Sequence, residues 1–577
     1  MPEALTRGLN PLLILAALAL AAYALFGAGP YGLRVLTVAG VYAIAVIGYQ
    51  AIFGQAGALS LAQGTFFGIG AYVTGILGST SGFGFAVTFP LSILAPTLLA
   101  LLIAVPVLRL ESHYFALATL GIGQVVLLAA VEWQSLTGGA NGIAGVPGID
   151  LFGWRVGRGL PLALFVWTLV ALGALLAWLL GHGRRGAAFP IMRETPVAAR
   201  TLGIDIDRLR LEAFAVSAAY GGAAGALTAH TQRVVSPEVL EFPVMVTILT
   251  VAVIGGQGRI AGAVVGAVLL IHLPEWFRGL ENGYLILYGA ALLATIVAAP
   301  WGIVGSLERL RARLIPERPP AAPAASAPPA RPTSKPSLPA SSAPVLYVDG
   351  FGKRFGGVQA VSDVSLRLDR GRILGVIGPN GSGKTTLINL ITGLEKADAG
   401  KLYVSDADIT GEPPHRRALA GIARSFQTAA LPSDSTVLEA VTAARIAIDS
   451  DIATARSHAM HFIVQAGIAD LVHTRCGALP PGPRRAVELA RALARQPLAM
   501  LLDEPAAGLT EDEQASLARR LRAAADDGIA IMIVEHNMPF LLPLADRILC
   551  LDEGRAIAEG TPGSIRRDPA VIAAYLG

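Results

Sequence analysis

The first 315 residues return repeatedly to long apolar runs, broken only by charged residues or by Gly and Pro, and nothing constrains the fold more. About 20 apolar residues let a helix span hydrocarbon, where only helices and closed barrels satisfy their own backbone. Ten candidate spans are readable, at about 11–28, 35–53, 64–80, 88–108, 114–131, 160–180, 211–229, 242–256, 260–274 and 284–303. Several are shorter than a straight crossing needs, so the third, eighth and ninth are expected to be tilted, broken or re-entrant. The small residues of FFGIGAYVTGILG and YGGAAGALTA read as close helix packing. Gln55, Ser60 and Gln63 read as polar groups bonding across helices or lining a pathway, with packing favoured. In TGGANG (137–142), turn chemistry and an outer contact stand level. Arg7 ahead of an apolar stretch also fits a signal peptide, but the run-on into further spans favours a first crossing.

The composition agrees: 53% of 577 residues are hydrophobic and only 15% charged, far below the roughly 25% of soluble proteins. A net charge of +4 is too diffuse for a nucleic-acid footprint, so no nucleic-acid partner is expected. Cys476 and Cys550 are the only two cysteines, which excludes a disulfide framework and suggests a reducing compartment for the second half. Arginines place the loop 181–210 (Arg184, Arg185, Arg193, Arg200, Arg208, Arg210) and the stretch after the last span (Arg309, Arg311, Arg313, Arg318) on the cytoplasmic side. Between the apolar half and an ordinary soluble half lie residues 316–344, with ten prolines in 29 positions. That segment reads as an extended tether reaching roughly 90 Å. The expected domains are therefore 1–315 in the membrane, 316–344 as linker and 345–577 in water.

The soluble half carries GPNGSGKT at Gly378–Thr385, following the apolar run Ile373–Ile377 and opening a helical stretch. Backbone N–H groups of Gly378, Pro379, Asn380, Gly381, Ser382 and Gly383 (Pro379 excepted) can close around phosphate. Lys384 then reaches the β- and γ-phosphates, and Thr385, beside Thr386, offers a hydroxyl to Mg²⁺. The expected ligands are thus ATP and Mg²⁺. In AMLLDEP, Asp503 ends a second apolar strand and suits the metal shell, while Glu504 can orient or deprotonate the attacking water. His536 follows a third such strand, positioned to sense the γ-phosphate.

With these motifs, residues 345–577 resemble the ATP-binding cassette ATPases, an α/β P-loop fold. The resemblance implies that Gln427 in RSFQ contacts magnesium and couples to the membrane domain, and that Phe355 stacks on adenine. It makes Ala507–Thr510 the D-loop and His536 the switch histidine. DEPAAGLT, IVEHNM and AEGTP…DPAVIAAYLG are similar to the ATPase subunits of branched-chain amino-acid importers. One motif departs. The family signature, which closes on a partner's ATP, is LSGGQ-like; here it is Leu479, Pro480, Pro481, Gly482 and Pro483. Three prolines lack an N–H, and only Gly482 keeps a donor in place for a γ-phosphate. A folded domain with a weakened signature is expected. The region between Gln427 and the signature also looks short for the family's helical subdomain.

Four blocks of the first half resemble the permease subunits of the same importers: GYQAIFGQAGALSLAQGTFFGIGAYV, HYFALATLGIGQVVLLAAVEWQSLTGGANGIAGVPG, RETPVAARTLGIDIDRLRLEAFAVSA and GGQGRIAGAVVGAVLL. The resemblance makes Glu194, Ala198, Ala199 and Gly203 a coupling helix docked beside the Q-loop. It implies a multi-pass protein of the bacterial inner membrane, seated in lipid, with a cytoplasmic ATPase. Its partners would be a second permease, a second ATPase and an extracytoplasmic substrate-binding protein. The implied task is ATP-driven uptake of branched-chain or other hydrophobic amino acids; urea, short amides or small organic acids are the alternatives. An exporter is disfavoured by the permease blocks. A regulatory, catalytically degenerate ATP-binding module is suggested by the prolines and opposed by intact Lys384, Asp503, Glu504 and His536.

Overall fold

The computed structural model describes residues 29–108, 110, 112–276, 284–314, 344–427, 430–449 and 451–576. The chain divides into two compact units, Met1–His182 with Asp207–Glu317, and Gly183–Ile206 with Arg318–Gly577.

The first unit is helical. Its elements are α1 (Pro30–Tyr49), α2 (Gln63–Ser79), α3 (Phe85–Val107), α4 (Ser112–Glu132) and α5 (Leu160–Leu180). After α6 (Gly183–Glu194) and α7 (Pro196–Thr201), which belong to the second unit, come α8 (Ile206–Gln232), α9 (Phe242–Gly255), α10 (Ile260–Trp276), α11 (Tyr284–Ala298) and α12 (Gly302–Leu314). Every expected span falls on one of these helices except 11–28, which lies outside the described residues. Among the described residues four helices are long and apolar enough to cross a membrane: Pro30–Gln55, Phe85–Val107, His113–Glu132 and Leu160–Leu180. The eighth and ninth expected spans, α9 and α10, meet at a bend of 118°, as a broken or re-entrant pair does.

Apolar on all sides, α1 is the buried centre of the unit, with Ile47 and Tyr49 fully covered. It continues through a π-helical turn, Gln50–Gln55. The glycines act by closeness: a Cβ on Gly225 of α8 would collide with the Phe67 carbonyl of α2, and one on Gly222 with the Ser92 carbonyl of α3. Gln63 likewise serves packing, donating to the Ala45 and Ser217 carbonyls at 2.9 and 3.1 Å and accepting from the Ser217 hydroxyl at 2.6 Å. TGGANG is a turn with Gly138, Gly139 and Gly142 at φ 77°, 59° and 69°.

The second unit is built on two sheets. Strands β1 (Leu346–Phe355), β2 (Val358–Leu368), β4 (Ala399–Val404) and β5 (Ala407–Asp408) form an antiparallel sheet in the order β2-β1-β4-β5. The larger sheet has the order β6-β7-β8-β3-β9-β10. Its strands are β3 (Ile373–Ile377), β6 (Ile422–Arg424), β7 (Ala499–Asp503), β8 (Ala530–Val534), β9 (Arg547–Asp552) and β10 (Arg555–Gly560). β6, β7, β8, β3 and β9 run parallel, and β3, β7 and β8 are buried at every position, as parallel strands covered on both faces must be. Helices α13 (Lys384–Thr392), α14 (Pro414–Leu419), α15 (Val437–Ile446), α16 (Ile452–Gln465), α17 (Pro481–Ala494), α18 (Glu511–Asp526) and α19 (Pro569–Leu576) surround them. In a parallel sheet chemistry gathers at the carboxyl ends of strands. Here β7, β8 and β3 are neighbours, so the residues following each meet.

Candidate functional site

The phosphate loop joins β3 to α13 and needs a backbone that only glycine adopts without strain. Gly378, Gly381 and Gly383 lie at φ 149°, 85° and 97°. A Cβ on Gly383 would collide with the Ala360 carbonyl. Lys384 folds over the loop, its ammonium donating to the Gly378 and Pro379 carbonyls at 2.8 and 2.7 Å and approaching the Ser382 hydroxyl at 3.3 Å. Burial lowers the Lys384 pKa, while Glu504 and Asp503 hold it up. Thr385 is exposed in the first turn of α13 and Thr386 is half-buried. Exposed helix N–H groups, a lysine, a free hydroxyl and two nearby carboxylates are the donor set that a polyphosphate with a hard divalent cation requires.

At the end of β7, Asp503 is buried, and burial raises its pKa against the opposing pull of Arg424. The Arg424 guanidinium lies 3.6 Å away and is itself pulled by burial to about 10. Glu504 adopts φ +47°, an uncommon value for a non-glycine residue that tilts its side chain out of the strand. One carboxylate oxygen accepts from Gln427 Nε2 at 2.7 Å; the other lies 3.6 Å from His536 Nδ1. Gln427, Glu504 and His536 therefore converge. Phe355 stands exposed at the end of β1, with the Lys353 ammonium 5.2 Å from its ring centre. Thr510 caps α18 with Glu513 as its reciprocal partner.

Several supporting residues carry no motif. Glu535, 1% exposed, accepts from Ala506 N at 2.8 Å and from His536 N at 3.2 Å, tying the turn after Glu504 to the backbone of His536. On α17, Arg485 donates to the Phe426 carbonyl at 2.7 Å and to the Gln427 carbonyl, while Glu488 accepts from Phe426 N at 2.9 Å. Arg491, one turn on, donates to the Ala430 carbonyl. Tyr575 near the C-terminus accepts from Gly378 N at 2.8 Å. Charge in such places reads from sequence as an ordinary solvated side chain, because its partners lie far along the chain.

The signature folds without distortion. Pro480 is the N-cap of α17, with Pro481 and Pro483 in the first turn. There a helix has no internal partner for its N–H groups, so proline is tolerated. A Cβ on Gly482 would collide with the Glu513 carboxylate, so the Gly482 backbone sits beside a negative charge. Between Gln427 and this motif stand α15 and α16.

The segment α6–α7 packs within the same unit as the ATPase. Glu194 accepts from Ser433 N at 2.6 Å, and Ala198 and Ala199 are buried. Gly203, at φ +82°, lies where a Cβ would press on Arg495, Leu419 and Ala447. Arg495 itself donates to the Leu202 carbonyl and, at 2.7 Å, to that of Ala418. Arg184 donates to the Ile446 carbonyl at 2.7 Å.

Comparison with known proteins agrees with both halves. Residues 31–305 match the family described as "Branched-chain amino acid transport system / permease component", residues 361–507 the family "ABC transporter", and residues 557–577 "Branched-chain amino acid ATP-binding cassette transporter". The ATP-binding protein BraF of Pseudomonas aeruginosa is 32% identical over 41% of this chain and 99% of its own length. LivG of Escherichia coli is 34% identical over the same shares. The permease LivM of Salmonella typhimurium is 31% identical over 47% of this chain and 69% of its own. A nucleotide-free ATP-binding cassette from an ABC transporter is 30% identical over 41% of this chain and 99% of that one, at a TM-score of 0.38.

Proposed function

We infer the activity from kinship: the chain belongs to the branched-chain amino-acid ATP-binding cassette transporters, with permease and ATPase joined in one polypeptide. Its function is ATP-driven uptake, and branched-chain or similar hydrophobic amino acids are the proposed substrates. The domains are read as permease 1–315, tether 316–344 and ATPase 345–577. The observation that carries the reading is the meeting of Gln427, Glu504 and His536 beside the phosphate loop.

In the proposed mechanism the loop Gly378–Ser382 and Lys384 hold the phosphates of ATP, with the base against Phe355. Magnesium, held by Thr385, Asp503 and Gln427, would supply charge neutralisation at the β- and γ-phosphates. Glu504 takes a proton from the attacking water, and His536 and Gln427 orient its carboxylate. Arg424 keeps Asp503 in place, and Glu535 fixes the backbone of His536. The coupling helix α6–α7, with Glu194, Ala198, Ala199 and Gly203, carries closure of the ATPase dimer to the permease. The membrane is read as the bacterial inner membrane with the ATPase cytoplasmic, supported by the arginines of 181–210 and 309–318.

The working assembly adds a second permease, a second ATPase and an extracytoplasmic binding protein. One composite site uses this chain's Lys384, Asp503 and Glu504, and we read it as hydrolytic. The other uses this chain's Leu479–Pro483, where only the Gly482 N–H is left to face phosphate and Glu513 repels it, and we read it as slow or binding only. Losing a single oxyanion-type donor costs about 2.7–4 kcal/mol in some enzymes.

The test is ATP-dependent leucine uptake into proteoliposomes holding the co-purified complex and its binding protein, beside Lys384→Ala. Uptake abolished by the variant is expected. ATP hydrolysis without leucine uptake in the wild type would overturn the substrate.

A further inference from the structure

The middle of α4 carries a group that lipid does not tolerate. Gln124 lies near the midpoint of Ser112–Glu132 and is exposed, among exposed Leu117, Val125 and Leu128. An amide at that depth belongs against another protein or a polar path. Gln124 lines a cavity of about 10 Å³ with Thr65 at the start of α2 and Glu241 immediately before α9. Because one cavity touches all three, α2 and α9 begin at the depth of the α4 midpoint, inside the apolar layer. Neither start has a side-chain cap. Discontinuous helices that present their positive ends at midplane suit anionic groups.

Two side chains point independently to a ligand. Thr65 is 3% exposed and lines the cavity, yet its hydroxyl makes no hydrogen bond among the described residues. A hydroxyl that opens only onto this cavity takes its partner there, from water or from a ligand atom. Gly123 keeps it accessible, since a Cβ there would stand 2.7 Å from the Thr65 Oγ1. Glu241 is exposed beside it, and its carboxylate makes no ion pair or hydrogen bond among the described residues. A carboxylate at this depth calls for a cationic partner.

We propose that this midplane patch is the permease's contact for the head group of a zwitterionic amino acid. Thr65 and the start of α2 take the α-carboxylate, Glu241 takes the α-ammonium, and Leu120 and Phe242 receive the aliphatic side chain. A cavity of this size admits one water. The head group therefore rests on the exposed mouth formed by Gln124, Glu241 and Phe242, with Thr65 at its floor. The assignment rests on the importer reading above.

The test uses the whole complex in proteoliposomes, with leucine as probe and ATP hydrolysis measured in parallel. Glu241→Gln should raise KM for leucine roughly ten- to a hundredfold, with ATP turnover kept, as loss of a charge-assisted contact implies. Thr65→Val, nearly the same volume, should raise it several-fold. In the wild type, 4-methyl-2-oxopentanoate, which lacks the ammonium, should compete far less well than leucine, and Glu241→Gln should narrow that gap. A wild-type KM in either variant, or an unchanged gap, overturns the proposal. Failure of the importer reading looks different: the wild type itself would hydrolyse ATP and take up no leucine.

Discussion

Replacing Arg495 by alanine should separate ATP hydrolysis from transport. This guanidinium is 6% exposed and bridges the carbonyls of Leu202, just after α7, and Ala418, at the end of α14. Two hydrogen bonds from a charged donor are worth about 3–6 kcal/mol together. Against them stands burial, which with repulsion from Arg445 draws the arginine from 12.5 to about 10. A shift of that size corresponds to about 3 kcal/mol already given up. The net contribution is thus about 0–3 kcal/mol, up to a factor of roughly 150 in how often the segment is docked. Arg495 bonds no residue of the phosphate loop, so hydrolysis should stay within about twofold of wild type. Leucine carried per ATP hydrolysed, measured in proteoliposomes, should fall several-fold or more, and Arg495→Lys should recover part of it. Equal loss of hydrolysis and uptake, or full coupling in Arg495→Ala, would refute the reasoning.

Glu504→Gln should abolish turnover yet retain nucleotide binding, because the amide keeps the shape at φ +47° and cannot accept the proton; filter binding with labelled ATP reads both. Pro480→Ser with Pro483→Gln should raise ATP turnover with the physiological partner, since serine suits an N-cap and glutamine a first-turn position; unchanged turnover would sink the unequal-site reading. Asp503 sets an acid-window effect: its folded pKa is raised, so the folded state holds a proton that the unfolded state has released above about pH 3.8. Stability should therefore fall as pH rises from there through the raised value, and Asp503→Asn should remove that slope in denaturant titrations.

The phosphate loop, Asp503–Glu504, Gln427 and His536 are legible because each is a short pattern attached to the end of a buried strand. Strand order then makes them neighbours. Arg424, Glu488 and Glu535 are not legible: each is a charge whose partners are backbone groups dozens of residues away, or a carboxylate on another strand. The segment holding Glu194, Ala198, Ala199 and Gly203 stood out through resemblance, but Arg495, which bonds the Leu202 carbonyl, lies nearly 300 residues downstream and signals nothing by itself. Membrane spans were readable as apolar runs, and their glycines as packing. The midplane patch was not, because Thr65, Gln124 and Glu241 meet only when helices begin partway through the layer.

The second unit is assembled from two separate pieces of chain, Gly183–Ile206 and Arg318–Gly577, and that has a consequence for synthesis. A ribosome adding about 5–20 residues per second needs roughly 20–70 s to travel from the end of the first piece to the C-terminus. Throughout that interval Ile191, Met192, Ala198 and Ala199, all buried in the finished protein, have no cassette to cover them. The newborn chain thus presents an open apolar seat before its occupant exists. Quality control that shields or destroys such surfaces acts on this interval first, and joining the two halves genetically ensures that the occupant arrives on the same molecule.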